Sequence, residues 1–159
     1  MKNYFLAVFI FFSINLFATG PNGFGLGVIG GEPSGLSAKY HLNQVNALDF
    51  AAAWSFQHDV IHLHSDYLFH DFDIVPVRKG NFGIYFGIGG RVTIHDDDND
   101  NDKNDNDDDV YFGIRVPVGI DYYFANFPIE IFLEIVPALN LFPGTDFDLD
   151  GGIGIRYYF

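Results

Sequence analysis

The sequence predicts an all-β protein, an eight-stranded antiparallel up-and-down barrel that crosses a membrane with its strands. Three observations predict it. Eight runs alternate with a period of two, and one face of each run is strongly apolar. The opposite face is mostly Gly, Ala, Tyr and isolated charges, where a solvated face would be rich in Lys, Glu, Gln and Thr; such a mix suits a narrow barrel interior in which small and large side chains interlock. The chain also ends on Gly151-Gly-Ile-Gly-Ile-Arg-Tyr-Tyr-Phe159, with Ile153, Ile155, Tyr157 and Phe159 on one face. In water a bare aromatic edge strand invites pairing with other chains, but closing a barrel with its apolar face in lipid resolves the problem.

The N-terminus is read separately. Met1-Lys2-Asn3 is a basic start, Tyr4 to Phe12 is a short apolar core, and Ala18 is a small residue at its end. This is the pattern of a secretory signal peptide over residues 1–18, cleaved before Thr19. Its core is interrupted by Ser13 and Asn15, whereas a membrane-spanning helix needs about 20 apolar residues. Residues 19–159 then form one domain. No later segment is long and apolar enough for a membrane helix, and open sheet edges are not tolerated in hydrocarbon, so a bilayer-embedded chain must close on itself. There is no Cys, which excludes disulfides, thiolate metal sites, cysteine nucleophiles and a lipoprotein anchor. The net charge of −13 argues against nucleic acid as a partner.

The elements follow in order. Gly23 to Gly31 sets Phe24, Leu26 and Val28 against glycines, and Glu32-Pro-Ser-Gly35 turns the chain. Leu36 to Leu42 sets Leu36, Ala38, Tyr40 and Leu42 against Ser37, Lys39 and His41, and Asn43 to Asn46 is the next break. Leu48 to Phe56 reads as a strand although Ala51-Ala-Ala53 favours helix locally, because the alternation holds throughout. In the fourth run Ile61, Leu63, Tyr67 and Phe69 oppose His62, His64 and Asp66; the phase slips near His70, which predicts a bulge or the strand end there. Phe82 to Ile94 is the fifth run. Val110 to Phe124 is the sixth and the longest clean alternation, although Pro117 lacks a ladder donor and predicts a missing hydrogen bond or a bulge. Ile129 to Ile135 is the seventh, Leu141 to Asp148 reads as a loop, and the terminal strand is the eighth. With both ends in the periplasm, the connection between the fifth and sixth runs is extracellular.

Several stretches carry a resemblance. The chain is similar to the small eight-stranded outer-membrane barrels of the OmpA type. Gly30-Gly-Glu-Pro-Ser-Gly-Leu36, Leu63-His-Ser-Asp-Tyr67, Tyr85-Phe-Gly-Ile-Gly-Gly-Arg91, Arg115-Val-Pro-Val-Gly119, Ile131-Phe-Leu-Glu-Ile135 and Gly151 to Phe159 look closer to an uncharacterised outer-membrane barrel family of spirochaetes and other Gram-negative bacteria. The resemblance implies an outer-membrane location and a porin-like fold but no activity. It also implies outer-membrane lipid, the barrel-assembly machinery and periplasmic chaperones as partners, with Ile155, Tyr157 and Phe159 as the assembly signal.

Four groups of residues are candidates for chemistry. Parity turns Lys39, Arg91, Arg115 and Arg156 inward together with Asp49, Asp66, Asp121, Glu130 and Glu134. Unpaired charges in a narrow lumen are prohibitive, so these must pair. They form either a polar plug that sets strand register or the gate of a narrow pore for ions or small solutes. His62 and His64 share a strand face with Asp66, and His41 is on the same side; neutral imidazoles at i and i+2 hold a transition metal only if a third ligand converges. The run Asp96 to Asp109 contains nine Asp and one Lys. Asp98, Asp100, Asp102 and Asp109 have a faint likeness to a calcium loop, but Lys103 occupies the glycine position and the last ligand is not Glu. The run otherwise reads as a self-repelling surface loop that displays charge to a cation or a surface partner. The serines Ser34, Ser37, Ser55 and Ser65 lie in no nucleophile motif, and the chain has no phosphate loop or zinc-hydrolase signature. No catalytic residue and no cofactor are expected, and a lipid-modifying enzyme is the remaining alternative.

Overall fold

In a computed structural model the described residues are 22–32, 34–55, 60–95 and 109–159. They form nine strands: β1 (Gly23–Glu32), β2 (Ser34–His41), β3 (Asn46–Ser55), β4 (Val60–Asp71), β5 (Asn81–His95), β6 (Asp109–Arg115), β7 (Val118–Tyr123), β8 (Ile129–Phe142) and β9 (Asp146–Tyr158). All pairings are antiparallel, and consecutive strands pair with one another except β6 and β7. β9 pairs back onto β1 from Gly25↔Tyr158 to Glu32↔Gly151, so the sheet closes into a ring. β6 and β7 both lie between β5 and β8 and are collinear halves of one stave, giving eight positions around the barrel.

Pro117 causes the interruption between those halves, and its effect is small. The register with β5 is the same on either side, Gly89↔Arg115 and Phe86↔Val118. Gly87 N still donates to Pro117 O at 2.8 Å, and Val116 N to Pro137 O at 3.0 Å. The ladder therefore lacks only the N–H that proline does not have. The irregularity in this stave is a register shift between Phe112 and Gly113, opposite the end of β8.

Burial alternates along every stave, but its sense is inverted relative to a water-soluble protein. Lys39, Asp49, Asp66, Arg115, Asp121, Glu130 and Arg156 are buried, while Leu26, Val28, Ile88, Leu133 and Ile153 are exposed on the outside. Large side chains fill the interior over small ones. Tyr85 faces Gly119 and Tyr158 faces Gly25 across the ladder. A methyl group at Gly119 would lie 2.5 Å from the Tyr85 ring, and one at Gly25 would lie 2.8 Å from Tyr158.

The connections fall at two ends. Residues 42–45, 72–80 and 124–128, together with Gly23 and Tyr158, define the turn end; the connection between β5 and β6 defines the insert end. At the turn end Asn43 Oδ1 accepts from Val45 N and Asn46 N, both at 2.9 Å, so a side chain satisfies the backbone of the tight turn. β4 ends at Asp71 with its register to β5 unbroken through His70↔Tyr85, so the phase slip marks a strand end rather than a bulge. Phe72 then stacks on His70, with ring centroids 5.6 Å apart.

One expectation is corrected. The stretch from Leu141 to Asp148 is not a long loop, because β8 continues to Phe142 and β9 begins at Asp146, leaving only residues 143–145 between them. The alternation Asp146-Phe-Asp-Leu-Asp150 is a strand pattern whose polar face is acidic, and its inward carboxylates are held by an arginine on the opposite wall. Residues 1–18 and the insert 96–108 lie outside the described residues, as do the side chains of Asp98, Asp100, Asp102 and Asp109.

Candidate functional site: the lumenal ion-pair network

The lumen is crossed by three tiers of charge. At the insert end Arg91 on β5 reaches across to β9, with Nη1 2.7 Å from Asp150 and Nη2 2.9 Å from Asp148. Its Nε and Nη2 also donate to Asn140 Oδ1 at 3.2 and 3.0 Å. Beside it, His62 Nδ1 meets Thr93 Oγ1 at 3.1 Å.

The middle tier centres on Arg115. Its Nε is 3.1 Å from Asp66 Oδ2 and its Nη2 is 3.5 Å from Glu134 Oε1, while Nη1 is 2.6 Å from His64 Nδ1. Tyr85 donates to the other oxygen of Glu134 at 3.0 Å. The geometry also selects a tautomer: a nitrogen accepting from Arg115 carries no proton, so a neutral His64 bears its proton on Nε2.

The deepest tier is the densest. Arg156 donates through Nε and Nη2 to Ser37 Oγ (2.9 and 2.6 Å), through Nη1 to Glu130 (3.1 Å) and through Nη2 to Asp49 (2.7 Å). Its guanidinium lies 3.8 Å from the centroid of the Phe132 ring. Lys39 Nζ is 2.5 Å from Glu130 and 3.1 Å from Asp121, and 4.9 Å from the Tyr85 ring centroid. Tyr158 donates to Glu130 at 2.8 Å and Tyr123 to Asp121 at 3.1 Å. His70 sits 3.1 Å from Asp121, and His41 Nε2 is 2.9 Å from the Tyr123 hydroxyl.

All nine charged residues that parity turns inward, Lys39, Asp49, Asp66, Arg91, Arg115, Asp121, Glu130, Glu134 and Arg156, face the lumen and are joined through these contacts. Between the upper two tiers lies a cavity of about 20 Å³, lined by His62, His64, Arg91, Arg115, Glu134 and Asp150 among others, which has room for about one water molecule.

The histidines do not act as one set. His62 bonds Thr93 near the insert end and His41 bonds Tyr123 near the turn end. Only His64 stays beside Asp66, where Asp49, brought alongside by the β3–β4 register, joins it. Ser37 Oγ serves as an acceptor for Arg156, and Ser65 is on the exterior. Ile155, Tyr157 and Phe159 are also exterior, at 46%, 43% and 52% exposure. Reasoning from charge alone passes over Tyr85, Tyr123, Tyr158, Ser37 and His70. The parity of their strands, rather than any motif, is the signal that places them inside. Asp148 lies in the stretch that reads as a loop, and Asp150 falls between that stretch and the terminal strand, so neither is assigned a face by the alternation.

The geometry defines a class, an all-β closed barrel of antiparallel strands with a polar interior. A solved structure shares that fold: the N-terminal β-barrel domain of Pseudomonas aeruginosa OprF is 15% identical, with a TM-score of 0.61 over 88% of this chain and 99% of that one. The chain belongs to the family described as proteins of unknown function (DUF3996), whose model matches residues 21–157. No curated protein matches the chain.

Proposed function

We propose that the protein is a bacterial outer-membrane barrel with a plugged lumen, acting as a structural or surface-interaction module and not as an enzyme. The lumenal network carries this reading. Three tiers of paired charge span the interior, with a cavity of only about 20 Å³ between the upper two, and this supports a blocked rather than an open lumen.

The exterior supports the location. Phe24, Tyr40, Phe69, Phe86, Tyr157 and Phe159 ring the turn end, Trp54, Phe112, Phe142 and Phe147 ring the insert end, and exposed aliphatic residues lie between them. On β9 the two rings are separated by the ten residue steps from Phe147 to Tyr157, roughly 33 Å along a strand. At a tilt of about 40° this spans about 25 Å, the height of the lipid-facing band in such barrels. The likeness to the OprF barrel fits the same assignment. In this arrangement outer-membrane lipid covers the barrel and the assembly machinery reads the terminal strand. The acidic insert faces outward, where it meets cations or a surface partner.

Single-channel recording of the folded protein in a planar bilayer tests the plug. The expected result is silence. Steady, reproducible current steps would overturn it in favour of a narrow pore for ions or small solutes, with Arg91, Arg115, Glu130 and Glu134 as the groups that gate it.

A further inference from the structure

We propose that the lumen contains a site for one divalent cation of zinc-like chemistry, built from Asp49 on β3 with His64 and Asp66 on β4. One ligand atom from each side chain lies within 4.8 Å of the others. His64 Nε2 is 3.9 Å from Asp49 Oδ2 and 3.9 Å from Asp66 Oδ2. The strand register produces this grouping, since Asp49 pairs with Asp66 and Ala51 with His64, so the three ligands sit side by side on the inner face of one two-stranded ladder.

Two further observations point to a ligand. His64 Nε2 is buried without a hydrogen-bond partner, on a side chain only 7% exposed, and it points between two carboxylates. The charge count leans the same way. In the two deeper tiers five carboxylates, Asp49, Asp66, Asp121, Glu130 and Glu134, face three cations, Lys39, Arg115 and Arg156, because Arg91 is held by Asp148 and Asp150. With neutral histidines and all five carboxylates ionised the excess is two negative charges, and a charged His70, 3.1 Å from Asp121, would reduce it to one.

The donor set selects the chemistry. One imidazole nitrogen with two carboxylate oxygens suits zinc, whereas calcium and magnesium favour oxygen alone. Tetrahedral zinc at about 2.0–2.2 Å from each donor places donors about 3.4 Å apart, so the 3.9 Å gaps must close by about half an ångström. His64 also lines the small cavity toward the insert end, from which a water can complete the coordination. Arg115 opposes binding. A metal on Nε2 moves the ring proton to Nδ1, where Arg115 Nη1 now donates at 2.6 Å, and Arg115 Nε lies 3.1 Å from the Asp66 Oδ2 that would bind the metal, so Arg115 must give up the first contact and share the second.

The test uses folded protein in detergent, stripped with a chelator, equilibrated with Zn²⁺ and passed through gel filtration before metal analysis. X-ray absorption reads the zinc shell, and heat-resistant mobility verifies the fold of each variant. Wild type, and a variant lacking residues 96–108, should each retain one equivalent, in a shell of one nitrogen and carboxylate oxygens at about 2.0–2.2 Å. His64→Gln should retain none, and Arg115→Met should load at a lower zinc concentration than wild type, the direction expected when a competing donor and charge are removed. No equimolar zinc on wild type overturns the proposal, as does zinc persisting in folded His64→Gln. Zinc that disappears with residues 96–108 would assign it to the acidic run and also overturn the site. If His64→Gln does not fold, the absorption shell of the wild type decides by itself.

Discussion

Arg156→Met is the perturbation that measures most directly what holds the interior together. Arg156 is 1% exposed and ties together Ser37, Asp49 and Glu130 through four hydrogen bonds of 2.6 to 3.1 Å. Methionine keeps the packing over Phe132 but removes the charge. Glu130 retains Lys39 at 2.5 Å and Tyr158 at 2.8 Å, so it remains compensated. Asp49 is worse placed, because its next basic neighbour is the His64 imidazole, 3.9 Å away. Removing one member of a buried ion pair costs about 3–5 kcal/mol, mostly as the penalty on the partner left behind. With a urea slope of about 2 kcal/mol/M the unfolding midpoint should fall by about 2 M. Equilibrium unfolding in detergent micelles, followed by the fluorescence of the single tryptophan Trp54, reads this shift. Adding Asp49→Asn removes the stranded charge and should recover a large part of the loss. A midpoint change worth less than about 1 kcal/mol in the single variant, or a double variant weaker than the sum of the singles, would refute the view that these charges act as a mutually compensating plug.

Two other perturbations address the ends of the molecule. Deleting residues 96–108 should leave heat-resistant mobility in detergent unchanged, because the described barrel closes without them; loss of that mobility would show that the insert is part of the fold. Deleting Phe159 removes the 3.0 Å hydrogen bond from its amide to Phe24 O at the closing seam and an exterior ring 5.1 Å from that of Tyr157. Membrane-fraction levels of the protein should drop, and normal levels would refute the proposal that the terminal strand directs assembly.

How much of this was legible in the sequence depends on the range of the interaction involved. The period of two is a local property of an extended chain, so it assigns a face to each residue without knowledge of any partner. Lys39, Glu130 and Arg156 could be turned inward, and Ile155 and Phe159 outward, from their neighbours alone. The break at Pro117 was visible because a missing N–H is covalent. The continuation of β8 and β9 was not, since Asp146-Phe-Asp-Leu-Asp150 looks like a loop until Arg91, on the far wall, supplies the opposite charge.

The tertiary structure decided which charge meets which. Arg156 and Asp49 are 107 residues apart, and Lys39 and Glu130 are 91 apart; both pairs exist only because eight staves close at a particular register. The same registers separate three histidines that share an inward face, sending His41 to Tyr123, His62 to Thr93 and His64 to the two aspartates. By itself the sequence determined the side of the wall on which each residue stands, because alternation is set by backbone geometry within one strand. Pairing across the lumen required the closed ring, because ion pairs and hydrogen bonds act over a few ångströms and only the register of distant strands brings their partners within that reach.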